Sequence, residues 1–222
     1  FTEAEMRKKL PTKEITKKTV LIAVMAALTT AVTFLVRIPT VATEGYINPG
    51  DAVLLYTGVV FGPLAGFIAG GVGSCLADLA AGYAHWVIPT LIIKGIEGMT
   101  AGLLFRLFHR LKLNRFFSAV LSLVPSVIIM VAGYFLASAV MKGSFAVALV
   151  DLPGNCFQGL FGVAASMLLL VATAKIPVFA SLTDFAVFYT DATHRNKVSV
   201  ADTARKEAHN ELSDKKKEGE GN

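Results

Sequence analysis

The chain has 222 residues, 54% of them hydrophobic and only 17% charged, with a net charge of +5. A soluble domain carries about 25% charged residues; here six Lys/Arg fall in residues 1–18, four between Arg106 and Arg115 and seven after Asp184, leaving the middle nearly bare. The pattern excludes an ordinary soluble domain and defines an integral membrane protein, whose positive total reflects basic membrane flanks rather than a nucleic-acid face.

A helix crossing the hydrocarbon core needs about 20 apolar residues. After a basic segment over 1–18, a first span runs from Thr19 to about Val36 and is closed by Arg37, Ile38 and Pro39. Its length, with no A-x-A site behind a short core, marks it as a retained helix rather than a cleaved leader. Residues 38–50, IPTVATEGYINPG, read as a loop with two prolines and two glycines. Asp51 reads as the N-cap of a short second helix that ends at Gly62-Pro63. The third helix runs from Pro63 to about Ala81, the fourth from Trp86 to about Phe108, and the fifth from about Phe117 to Met141. The sixth begins between Asp151 and Asn155 and ends at Ala174. The expected fold is all-α: a bundle of six transmembrane helices over 19–175, its second helix so short that it must tilt or borrow length from its neighbours. Residues 176–222 form a polar tail, in which VFASLTDFAVFYTD is amphipathic enough to lie on a membrane surface. The stretch 195–222 has too few apolar residues to build a core.

Six spans put both termini on one side. That side would hold eleven Lys/Arg, counting the N-terminal segment, the Arg106–Arg115 cluster and Lys175, against Arg37 and Lys142 opposite. The positive-inside rule makes the richer side cytoplasmic.

Small residues recur every fourth position at Gly58, Gly62, Gly66 and Gly70, a spacing that lets helix backbones approach closely in lipid. Packing within the bundle is the simplest use for them. Ala23, Ala27 and Ala31 repeat the spacing on the first helix, where the partner is either in this chain or in another. Cys75 and Cys156 lie in apolar segments without a CxxC or a His/Cys cluster, and are expected to be buried free thiols.

The polar residues inside the spans carry the functional argument. An ionisable side chain near the bilayer centre costs about 2.5–3.5 kcal/mol on insertion scales, so it faces a cavity, a partner or a pathway. Asp78 precedes the outer end of the third helix. Lys94 and Glu97 lie roughly 12 and 17 Å below Trp86 at 1.5 Å per residue, and Asn155 and Gln158 occupy the first turns of the sixth helix. All fall in the outer half of the membrane, as a pocket open to the outside requires. Lys94 and Glu97 sit on one helix face. They either neutralise one another (or Lys94 pairs with Asp78) as structural glue, or they line a pocket for a small water-soluble ligand. The loop EGYINPGD adds Glu44, Tyr46, Asn48 and Asp51, and the turn after the third helix adds His85 and Trp86. Tyr46 and Trp86 are candidates to stack on a planar ring, or else interfacial anchors; His85 is a capping candidate or a solvated loop residue. No Walker A loop, HExxH or GxSxG is present, and nothing here suggests an enzyme, a cofactor or a metal.

The succession INPGDAVLLYTGVVFGPLAGFIAGGVGSCLADLAAGYAHW, followed by LIIKGIEGMTAGLL, resembles the substrate-binding S components of energy-coupling factor (ECF) vitamin transporters, in the riboflavin-type and hydroxymethylpyrimidine/pyridoxine-type branch. The resemblance covers about residues 15–175. It implies a six-helix subunit of the prokaryotic plasma membrane that binds one vitamin or precursor near the outer face, with the loop after helix 1 as a lid. It further implies association with a transmembrane coupling protein and two cytoplasmic ATPases that supply the energy. On that basis Ala23, Ala27 and Ala31 become a subunit interface, and Tyr46, Asn48, Asp78, His85, Trp86, Lys94, Glu97, Asn155 and Gln158 become the substrate site. Hydroxymethylpyrimidine or pyridoxine is the expected ligand, and riboflavin the alternative. A stand-alone channel and a ligand-free scaffold subunit are the rival functions.

Overall fold

A computed structural model describes residues 12–40 and 45–174. Glu44, the start of the basic segment and the tail 176–222, with its amphipathic stretch, lie outside the described residues. Among the described residues there are six helices: α1 (Thr12–Leu35), α2 (Gly50–Phe61), α3 (Pro63–Ala80), α4 (Val87–Arg110), α5 (Arg115–Lys142) and α6 (Phe145–Thr173). All but α2 are long and apolar enough to cross a membrane.

The short helix α2 solves its length problem by not facing lipid. Gly50 through Val60 are all buried, and α2 packs against α1, α3, α4 and α6. A helix that is apolar all round belongs inside a bundle, and Leu54 and Leu55 are fully enclosed there. The other five present their large apolar side chains outward: Val20, Ile88, Leu160 and Leu168 are all more than half exposed. Lipid is the solvent at that surface, so the outward face needs no polar cover.

Glycines bring α2, α3 and α4 together. A methyl added at Gly98 of α4 would collide with the Gly66 carbonyl of α3, and one at Gly58 of α2 would collide with the Gly98 carbonyl. The run of small residues is therefore used within the bundle. Gly62 forms the turn between α2 and α3 at φ 95°, a left-handed value that favours glycine. Ala23, Ala27 and Ala31 are exposed, on the face of α1 opposite its buried Met25, Ala26, Thr29 and Thr33.

Three features differ from the sequence reading. The loop after α1 contains a small antiparallel hairpin, β1 (Ile38–Thr40) with β2 (Gly45–Ile47), which pairs Pro39 with Tyr46. Helix α6 starts at Phe145, well before Asp151, because Ser144 accepts a hydrogen bond from the Val147 N–H and Pro153 is accommodated inside the helix. The sequence DLPGN reads as a break, but Pro153, the ninth residue of the helix, gives up one backbone hydrogen bond and the helix continues through it. Cys156 is exposed rather than buried and Cys75 is half-buried, both free thiols. An apolar thiol has no reason to leave a lipid-facing surface.

Candidate functional site

Helix α3 changes winding at Ile68–Val72, a π-helical turn. A wider turn re-phases everything after it, and Ser74 and Asp78, four residues apart on one face, then line an interior cavity. The cavity lies at the end of the bundle where α1 and α3 finish and α4 and α6 begin. Its wall includes Thr33, Tyr46, Asn48, Asp78, Trp86, Lys94, Tyr134, Asp151, Asn155 and Gln158, and its volume is about 40 Å³. That holds one or two waters.

Lys94 is 1% exposed, and its ammonium is bonded to Asp51 and, at 3.0 Å, to Glu97. Asp51 and Glu97 are fully buried. Two carboxylates thus hold one cation, which also lies 5.5 Å from the centroid of the Tyr134 ring. Asp51 is not the N-cap of α2: the helix starts at Gly50, and the Asp51 carboxylate turns inward instead. Its second oxygen accepts from Gln158 Nε2 at 3.0 Å, and Gln158 Oε1 accepts from the Asn48 N–H at 2.8 Å. Asn48 Oδ1 in turn accepts from the Gly50 N–H at 2.9 Å. The chain of bonds ties α2, α4, α6 and the segment after β2 into one unit. Breaking a buried ion pair by removing one partner costs about 3–5 kcal/mol, so the network is both a structural clasp and a fixed array of polar groups.

On the opposite wall Tyr46 donates its hydroxyl hydrogen bond to Asp78 Oδ1. Burial, reinforced by the Asp78 charge, raises the Tyr46 pKa above its ordinary value, so the phenol stays a donor at neutral pH. Aromatic rings frame the mouth: Tyr46 lies against Tyr83 at 4.9 Å between centroids, and Trp86 against Tyr134 at 5.6 Å. The Tyr134 hydroxyl is 3.1 Å from that of Thr90. Asp78 Oδ2, Trp86 Nε1, Thr33 Oγ1 and Glu97 Oε1 are buried with no hydrogen-bond partner. No group of three His, Cys, Asp or Glu that could hold a metal occurs among the described residues.

Of the residues singled out in the sequence, Tyr46, Asn48, Asp78, Trp86, Lys94, Asn155 and Gln158 come together on the cavity wall. Glu97 stands behind the wall and holds Lys94. His85 is exposed and lies off the wall. The sequence reading passed over Thr33, Tyr134 and Asp151. Tyr134 and Asp151 had a signal, each being a polar group within an apolar span; Thr33 had none, since a membrane-helix threonine commonly bonds its own backbone.

An interior polar cavity at one end of a six-helix membrane bundle is an arrangement suited to a membrane-embedded binding protein. The chain belongs to the family described as ECF-type riboflavin transporter, S component, which it matches over residues 13–175. It is thus a transport subunit of the membrane, not an enzyme. It is similar to the thiamine precursor transporter HmpT of Lactococcus lactis subsp. cremoris, with 34% identity over 128 residues, 57% of this chain and 70% of that one. An uncharacterized protein of Pyrococcus woesei is 42% identical over 114 residues, covering 51% of this chain and 73% of that one. A solved S component of a bacterial ECF transporter has the same fold, with a TM-score of 0.55 at 18% identity, covering 72% of this chain and 96% of that one.

Proposed function

We propose that this subunit captures a small vitamin or vitamin precursor, pyridoxine or hydroxymethylpyrimidine, in the polar cavity, and delivers it inward with a coupling protein and two ATPases. The observation that carries the reading is the cavity itself: two tyrosines, a tryptophan, two asparagines, a glutamine, a lysine and two aspartates converge there, in a bundle whose outer surface is apolar. The similarity to a thiamine precursor transporter favours the pyrimidine. Both termini lie in the cytoplasm in this account, which sets the cavity at the outer face. A heterocycle is larger than the present cavity, so admission requires the Tyr46 segment to swing out, breaking its bond to Asp78. The exposed Ala23, Ala27 and Ala31 let a coupling-protein helix approach α1 closely.

The family description favours riboflavin as a second reading. Titration calorimetry of the purified chain with hydroxymethylpyrimidine, pyridoxine and riboflavin separates the two. Liposomes containing this chain alone should take up none of the three, and uptake should appear with the partner subunits and ATP. Uptake without partners would instead make it a facilitator, and failure to bind any of the three would sink the vitamin reading.

A further inference from the structure

The unpaired atoms of the cavity prescribe the chemistry of what fills it. Asp78 Oδ2 is an acceptor and Trp86 Nε1 a donor; both residues line the cavity, are 4% and 5% exposed, and lack a partner at those atoms. Thr33 Oγ1, on a residue 1% exposed, is also unpaired in the same wall. A buried polar group without a partner is destabilising, and a ligand that pairs it removes that penalty. The complement is a compound offering a hydrogen-bond donor to Asp78 and an acceptor to Trp86.

Charge sets a second condition. Asp78 and Asp151 line the cavity, and Asp51 and Glu97 stand behind Lys94. Lys94 is the cation in the wall, and two carboxylates already hold it. Arg37, at the mouth, lies over the Phe34 ring at 4.5 Å and 5.9 Å from the Tyr46 centroid. Recognition of a phosphate uses an uncommitted Arg or Lys, often bidentate, and this wall supplies carboxylates instead.

Resting on the vitamin-precursor reading, we infer that the cavity selects an uncharged or cationic aromatic heterocycle that presents an amino or hydroxyl donor to Asp78 beside an acceptor for Trp86, and that it rejects the phosphate ester of the same compound. Asp78 is then a specificity determinant, and the protein imports only the dephosphorylated form. A phosphatase-type reaction must precede capture wherever the ester is the external source, and a kinase-type reaction suits the imported product.

The test is titration calorimetry of the full chain in detergent with matched pairs: hydroxymethylpyrimidine, pyridoxine and riboflavin, each against its phosphate monoester. Whichever heterocycle binds, its ester is expected to bind about 100-fold more weakly or worse, since like charges brought together cost several kcal/mol. Asp78→Asn, which keeps shape and removes charge, should shrink that ratio to about 10-fold or less and also weaken the parent compound. Trp86→Phe, which keeps the ring and removes the N–H, should weaken the parent about 10-fold without changing the ratio. An ester that binds as well as its parent, or a ratio unmoved by Asp78→Asn, would overturn the inference while leaving the vitamin reading intact. Binding of none of the heterocycles would remove both.

Discussion

Helices α2, α3 and α4 meet one another in two ways. In one layer Gly58, Gly66 and Gly98 bring backbone against backbone, with no room for a methyl group. In the other layer Asp51, Lys94 and Glu97 fill the space between helices with charge, next to a cavity. The glycine layer gains dispersion contacts and costs nothing in desolvation. The charged layer costs desolvation free energy and gains a set of polar groups fixed in position. Lipid rewards the first arrangement and tolerates the second only where a function uses it. The motif IKGIEG carries both on neighbouring residues: Lys94 and Glu97 serve the charged layer, and Gly95 and Gly98 the packed one.

Substitution should pull the two layers apart. The largest effect is expected for Lys94→Ala, which strands two buried carboxylates. It should cost about 3–5 kcal/mol of stability, read as a fall in melting temperature in detergent, together with loss of ligand binding. Asp51→Val, Lys94→Met and Glu97→Leu combined should recover much of that stability, because buried ion clusters are often replaceable by apolar groups of similar size. Binding should not return. Recovery of both would mean the charges serve only the fold.

In the packed layer, Gly98→Ala should cost about 1–3 kcal/mol by overpacking against the Gly66 carbonyl. Ligand affinity of the folded fraction should stay within about two-fold of wild type, because Gly98 does not line the cavity. A large affinity loss there would erase the distinction between the layers. Tyr46→Phe, at the cavity mouth, removes the bond to Asp78 that admission has to break and should speed ligand association about five-fold, at about 1 kcal/mol for one hydrogen bond. The smallest effect on the isolated subunit belongs to Ala27→Trp. It lies on the exposed face of α1, so stability should move by no more than about 0.5 kcal/mol. Co-purification with a coupling protein should fall sharply; an unchanged complex would place docking elsewhere.

Much of this was legible in the sequence because lipid imposes strict rules. Span length and apolar content located the five long helices to within a few residues, apart from the starts of α1 and α6, which lie at Thr12 and Phe145. The short helix α2 was visible as an anomaly, and its burial explains it: the composition is apolar on every side, and only a central position suits that. Asp51 shows where sequence reasoning fails. An aspartate after Asn-Pro-Gly is locally indistinguishable from a helix cap, and only the placement of α4 and α6 around it reveals a partner in Lys94 and another in Gln158. The cavity residues Thr33, Asp151 and Tyr134 come from three different helices, and no local pattern brings them together. The hairpin β1–β2 is three residues per strand, too short for alternation to register.

The central claim is that the polar layer holds a ligand. It is tested most directly by mass spectrometry of the small molecules released on denaturing freshly purified protein, for wild type and for the combined Asp51, Lys94 and Glu97 replacement in parallel. The account predicts a phosphate-free aromatic heterocycle from wild type and none from the folded variant. The same compound released in equal amount from both would contradict it.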